Sequence, residues 1–136
     1  MIDGHSALRT HLLVASPLKT LLGGDYVYWP EVPSNVTLPR KAISFRFGGG
    51  LTLLGLRAQD ARVTFKCWGT SAFGAMEVYR ALYDRLHDQQ NFIVGNVGFH
   101  GAYEDVPGQP LEDPKTGYPY VHTVYTLTVA TVPVAA

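Results

Sequence analysis

The sequence predicts an α+β fold, a mostly antiparallel β-sheet packed against one long helix, with a further helix at the N-terminus. Three observations carry this. Residues 61–68 alternate strictly, with Val63, Phe65 and Cys67 on one side and Arg62, Thr64, Lys66 and Trp68 on the other, the period of a half-buried strand. Immediately after Gly69 the period becomes helical: Ala72, Met76, Tyr79, Leu82 and Leu86 form one stripe flanked by Ala75 and Tyr83, while Glu77, Arg80, Asp84, Arg85 and Asp88 lie off it. Residues 42–47 and 118–132 alternate as well, and links that suit hairpins rather than crossovers make the sheet antiparallel. At 136 residues the chain reads as a single domain, 1–136, large enough to bury a core without staples.

Each element has its own signals. Residues 3–15 read as a helix capped by Asp3 or Ser6, with Leu8, Leu12 and Ala15 as its apolar stripe, and Pro17 closes it by disfavouring helix at Ser16. Leu18, Leu21 and Leu22 make a short apolar turn before Gly23-Gly24. Tyr26-Val27-Tyr28-Trp29 reads as an edge strand or extended arm, because Pro30 and Pro33 bound it and lack backbone donors. After the strand at 42–47, residues 48–57 combine three consecutive glycines with Leu51, Leu53, Leu54 and Leu56 and read as a long hairpin loop. So apolar a loop needs cover, so these leucines are expected to meet another chain; the alternative is that they fold back onto the domain's own core. Thr70 or Ser71 caps the long helix. Beyond it, 91–94 and 97–103 are strand-like with glycine interruptions, and 104–110 reads as loop. Asp113-Pro114-Lys115-Thr116-Gly117 is a turn into the last and longest strand, 118–132.

Composition narrows the function classes. Eleven basic and eleven acidic residues cancel, and charged residues make up only 16% of the chain, too few and too dispersed for a nucleic-acid binder that must cluster cations against phosphate. Low charge with eight tyrosines and two tryptophans suits a subunit whose exterior is covered by copies or partners, and Tyr26, Tyr28, Trp29 and Trp68 join the four leucines as candidate contacts. The one cysteine, Cys67, lies on the apolar side of its strand and reads as a small buried hydrophobe; with no disulfide framework there is no sign of an oxidising compartment. No stretch has the length of a membrane span, and the run Leu12-Leu13-Val14-Ala15 is too short and too interrupted for a signal peptide.

Chemistry is sparsely signalled. Gly69-Thr70-Ser71-Ala72-Phe73 sits between a strand and a helix, where a nucleophile elbow sits, and Asp113 and His122 follow in hydrolase order. Phe73, however, occupies the place of the elbow's second glycine, the sheet reads as antiparallel, and capping accounts for Thr70 and Ser71. A small serine hydrolase on Ser71, Asp113 and His122 is therefore the remote alternative. His5, His11, His87, His100 and His122 have no metal-ligand spacing, and Gly48-Gly49-Gly50 lacks the lysine and helix of a phosphate loop. No catalytic, metal or cofactor site is expected.

Taken together, these segments resemble the tail-completion, or tail-terminator, proteins of long-tailed bacteriophages. The likeness runs over most of the chain: the opening helix and Leu-rich turn, Tyr26-Val27-Tyr28-Trp29-Pro30, Val63-Thr64-Phe65-Lys66-Cys67-Trp68-Gly69 running into Ala75-Met76-Glu77-Val78-Tyr79-Arg80-Ala81-Leu82, and Asp113-Pro114-Lys115-Thr116-Gly117-Tyr118-Pro119 before a final Val/Thr/Tyr strand. The resemblance implies a virion protein, assembled in the bacterial cytoplasm, that forms a homo-hexameric ring at the head-proximal end of the tail tube. Its implied partners are the tube protein and the head–tail neck or connector proteins; DNA passes through the lumen without sequence-specific binding, and no membrane is involved. A head-side neck or stopper protein, or a tube-like subunit, is the nearest alternative.

Overall fold

The computed structural model describes residues 4–13, 17–29, 31–33, 37, 40–52, 58–87, 92–94 and 97–131. Its elements run α1 (Gly4–Leu12), α2 (Pro17–Leu22), β1 (Val27–Tyr28), β2 (Ala42–Thr52), β3 (Ala58–Trp68), α3 (Ala72–His87), β4 (Phe92–Val94), β5 (Val97–Glu112) and β6 (Pro119–Thr131). The strands form one six-stranded sheet in the order β1-β2-β3-β6-β5-β4. Every pairing is antiparallel except the short one between β1 and β2. The α+β class read from the pattern is the observed one.

The core lies between the sheet and the helices. Val63, Phe65 and Cys67 of β3 and Val121, Thr123, Tyr125 and Leu127 of β6 are all buried on the helix side. The register explains why: Val63 faces Tyr125, Phe65 faces Thr123 and Cys67 faces Val121, so two period-two patterns fall in phase and present one apolar surface. Phe65 meets Phe45 and Tyr125 edge-on or tilted, with ring centroids 5.9 and 5.5 Å apart.

Several elements differ from the sequence reading. The apolar stripe of α3 is centred on Ala75, Val78, Leu82 and Leu86, all buried, while Ala72 is exposed and Met76, Tyr79 and Tyr83 only flank it. Val78 is the residue the helical count passed over; it is fully buried in the core, and its burial sets the rotation. The Leu18–Leu22 stretch is a helix rather than a turn: Pro17 starts it without losing a needed donor, and Gly23, at φ 77°, ends it by returning its N–H to Lys19 O at 3.0 Å. This leaves α1 ending at Leu12 rather than at residue 15, which lies outside the described residues. Finally, 104–110 is not a loop. β5 continues through it to Glu112, with register shifts at Phe99/Gly101, Glu104/Val106 and Val106/Gln109. The long β6 offers partners along its whole length; the shift between Val106 and Gln109 takes up Pro107, and Pro110, in register opposite Val121, lies beyond the stretch of β5 that pairs with β4, so no described ladder needs its missing donor.

The hairpin at 48–57 is shorter in its loop than expected. β2 runs on through Gly48-Gly49-Gly50 to Thr52, with a register shift between Phe47 and Gly50, and Leu51 sits opposite Asp60 in the ladder. Only residues 53–57, with Leu53, Leu54 and Leu56, remain as the connection, and they lie outside the described residues. The N-cap is as read: Ser71 Oγ accepts the Gly74 N–H at 3.2 Å. So is the β5–β6 turn, where Asp113 Oδ1 accepts Lys115 N–H at 2.8 Å and Gly117 N–H returns to Asp113 O at 2.7 Å.

Candidate assembly surfaces

The helices cover one face of the sheet, and the other face carries the alternate residues. Crossing the strands, the rows on that face read Trp68, Tyr120 and Leu111, then Ser44, Lys66, His122 and Gln109, then Arg46, Thr64, Val124 and Val106. The first row is aromatic and apolar. Trp68 and Tyr120 stand 4.9 Å apart, and the Lys66 ammonium lies over both rings, 5.9 and 5.3 Å from their centroids. Trp68 Nε1 donates to Ser44 Oγ at 3.2 Å, which satisfies two buried polar groups at once. A groove of about 400 Å³ opens beside this row, lined by Glu31, Val32, Ser44, Arg46, Lys66, Trp68 and Asp113 among others. Glu31 and Arg46 close a 2.6 Å ion pair at its rim. Lys66 forms no ion pair with any described residue.

The residues expected to meet partners fare differently. Trp68 is buried in its own chain, only 6% exposed, and lines the groove from below. Tyr26 and Tyr28 are half-buried, and Tyr26 is capped by its own subunit: the Arg40 guanidinium lies 3.3 Å from its ring centroid while donating to Leu22 O at 2.9 Å. Trp29 is 48% exposed, just past the edge strand. Leu51 is placed on β2 by its backbone alone.

Two exposed apolar side chains escaped the sequence reading. Phe73, in the first turn of α3, is 84% exposed, and Leu111 at the end of β5 is 44% exposed. Phe73 was legible as an anomaly: a large ring lying opposite the apolar stripe of an amphipathic helix.

A polar cluster on the helix side also went unread. Tyr79 Oη donates to Glu104 Oε2 at 2.5 Å and accepts Gly108 N–H at 3.2 Å. The one Thr123 hydroxyl hydrogen is shared between Val106 O at 2.8 Å and Glu104 Oε2 at 3.2 Å. Burial, then the bond to the Glu104 carboxylate, pushes the Tyr79 phenol up; burial and the same carboxylate push Tyr125 well above the usual tyrosine range. This cluster fastens the irregular half of β5 to α3. Elsewhere, burial pushes the Cys67 thiol far up, as befits a packing residue. His11 is held down to about 4, first by burial and then by Arg85, whose guanidinium donates to His11 O at 3.0 Å.

The residues of the hydrolase alternative have other work. Ser71 Oγ caps α3, and the Asp113 carboxylate closes its own turn. His122, level with Lys66, sits on the face away from the helix that Ser71 opens. Among the described residues no cluster of His, Cys, Asp and Glu is arranged to hold a metal ion, and no helix is long and apolar enough to cross a membrane.

No protein-family model and no curated protein matches the chain. Among solved structures it is similar to a chain of the virion of a native gene transfer agent particle, with a TM-score of 0.69 at 16% identity. The likeness covers 96% of this chain and 99% of that one, so the fold is shared end to end.

Proposed function

We propose that this chain is a structural virion protein of a phage-like particle, and that it closes a ring at the head-proximal end of the tail tube. The observation that supports the reading is a fold shared over 96% of this chain and 99% of a chain of a virion particle. The surface supports it. A groove on the helix-free sheet face, and Phe73, Leu111 and Trp29 at the surface, give such a subunit places to meet its neighbours. The ring ends tube growth and offers the neck proteins a surface to dock on, while DNA passes through the lumen without base contacts. The near-neutral charge suits that passage, because a strongly basic lining would hold the phosphates.

The test is native mass spectrometry of the purified protein, followed by micrographs of the protein mixed with tail tubes. One closed multiple of the chain mass, seated at one tube end, is the expected result. A chain that stays single at every concentration and leaves tubes bare refutes the proposal. Indefinite polymerisation into tubes points to a tube subunit instead, and binding to head connectors alone points to a head-side stopper.

A further inference from the structure

We infer that the first two turns of α3 of one copy dock into the groove on the helix-free face of the next, with Phe73 as the anchor and Glu77 and Arg80 as the charges that set its register. The inference rests on the ring reading above and names the contact that would build the ring.

The donor side is a row on the solvent side of α3. Phe73, Glu77 and Arg80 are spaced i, i+4 and i+7, so they stand on one side of the helix about one turn apart. Phe73 is 84% exposed, and Glu77 and Arg80 are exposed beside it. Arg80 has no ion pair among the described residues; Glu77 has only the exposed 3.3 Å bridge to Lys41, a kind of pair that yields readily to a better one.

The acceptor side is the groove. Trp68 lies beneath it, Lys66 comes two residues back along the same strand and face, and Thr64 and the Arg46–Glu31 pair follow in the next row. Residues two apart on a strand are separated by roughly 6.5 Å, close to the spacing of an i, i+4 pair on a helix. The order of chemistry also matches. Phe73 meets the Trp68 end, the Glu77 carboxylate arrives at the Lys66 ammonium, which has no acidic partner among the described residues, and Arg80 reaches Glu31, whose pair with Arg46 is solvent-exposed on both sides and can be shared. Asp113, the other acid of the groove, already has two backbone N–H groups on Oδ1, from Lys115 and Thr116, and sits at the end away from Glu31.

The two surfaces lie on opposite sides of one subunit, so the contact is head-to-tail. Such a contact repeats from copy to copy until rotation closes it. It also requires nothing from a second protein.

The experiment measures oligomeric mass against concentration for the wild-type chain, Phe73→Ser, Lys66→Glu, and Lys66→Glu combined with Glu77→Lys. Phe73 and Glu77 are on the surface, and melting curves confirm that each variant is folded. Phe73→Ser and Lys66→Glu are each expected to raise the concentration for half-assembly by roughly tenfold or more. The double charge exchange is expected to recover most of what Lys66→Glu loses, which a nonspecific surface effect does not do. A wild-type ring that survives Phe73→Ser and Lys66→Glu unchanged overturns this contact and leaves the ring reading intact. A wild-type chain that never associates overturns both.

Discussion

Replacing Gly69 by alanine tests the joint that turns the sheet into a two-layer domain. The strand β3 ends at Trp68, and α3 begins at Ala72, so the helix must fold back over its own strand within three residues. A Cβ on residue 69 would lie 2.2 Å from Ala75 N, 2.6 Å from Gly74 C and 2.8 Å from Ala75 Cα. All three are backbone atoms of the first helical turns, so no side-chain rotation relieves the clash. The helix has to lift by about an ångström, and that loosens Ala75 and Val78 from the core. Overpacking of this kind costs about 1–3 kcal/mol even where side chains absorb it, so about 3 kcal/mol or more is expected here. For a chain of this length that is roughly a 10 °C fall in melting temperature. Gly117→Ala is the control: nothing lies within 4 Å of its Cβ, and only the φ of +73° opposes it, so about 1 kcal/mol is expected. Both are read by thermal melts followed by circular dichroism. If Gly69→Ala melts within a degree or two of the parent, or no lower than Gly117→Ala, the close approach of strand and helix is not what fixes the joint.

Tyr79→Phe removes a donor from Glu104 and an acceptor from Gly108 and should cost about 1–3 kcal/mol in urea unfolding, whereas Glu104→Gln, which keeps an acceptor for Tyr79, should cost less. His11 titrates at about 4 in the folded chain against 6.5 unfolded, so the unfolded state binds the proton first as pH falls. Its contribution, up to about 3 kcal/mol, is complete above pH 6.5 and declines toward pH 4; a stability difference between pH 6.5 and 5 that His11→Gln flattens is the expected result. Trp29→Phe should leave a blue-shifted emission that acrylamide barely quenches, from the buried Trp68, and Trp68→Phe should leave a red-shifted, quenchable one from Trp29; equal quenching in the two variants contradicts the burial of Trp68. Trp68→Phe should also destabilise by about 1–3 kcal/mol, because Ser44 Oγ stays buried without its donor.

The sequence by itself determined the two-layer class, the strand that Gly69 breaks, a cap at Thr70 or Ser71, the turn at Asp113 and the structural role of Cys67. Each of these is written locally, in a period of two or 3.6, a hydroxyl before a helix, or a residue whose φ or side chain allows one conformation. What it could not determine were features decided by residues far apart in the chain. The polar stretch 104–110 looks like a loop until β6 supplies its ladder and Tyr79 and Thr123 hold Glu104. The rotation of α3 onto Val78, the burial of Trp68 beneath Lys66 and Tyr120, and the groove that results depend on strand order and register, which no window of neighbouring residues encodes. Pairing in a sheet is a long-range choice among alternating patterns of similar strength, and only the fold as a whole, by burying all of them in phase, makes that choice.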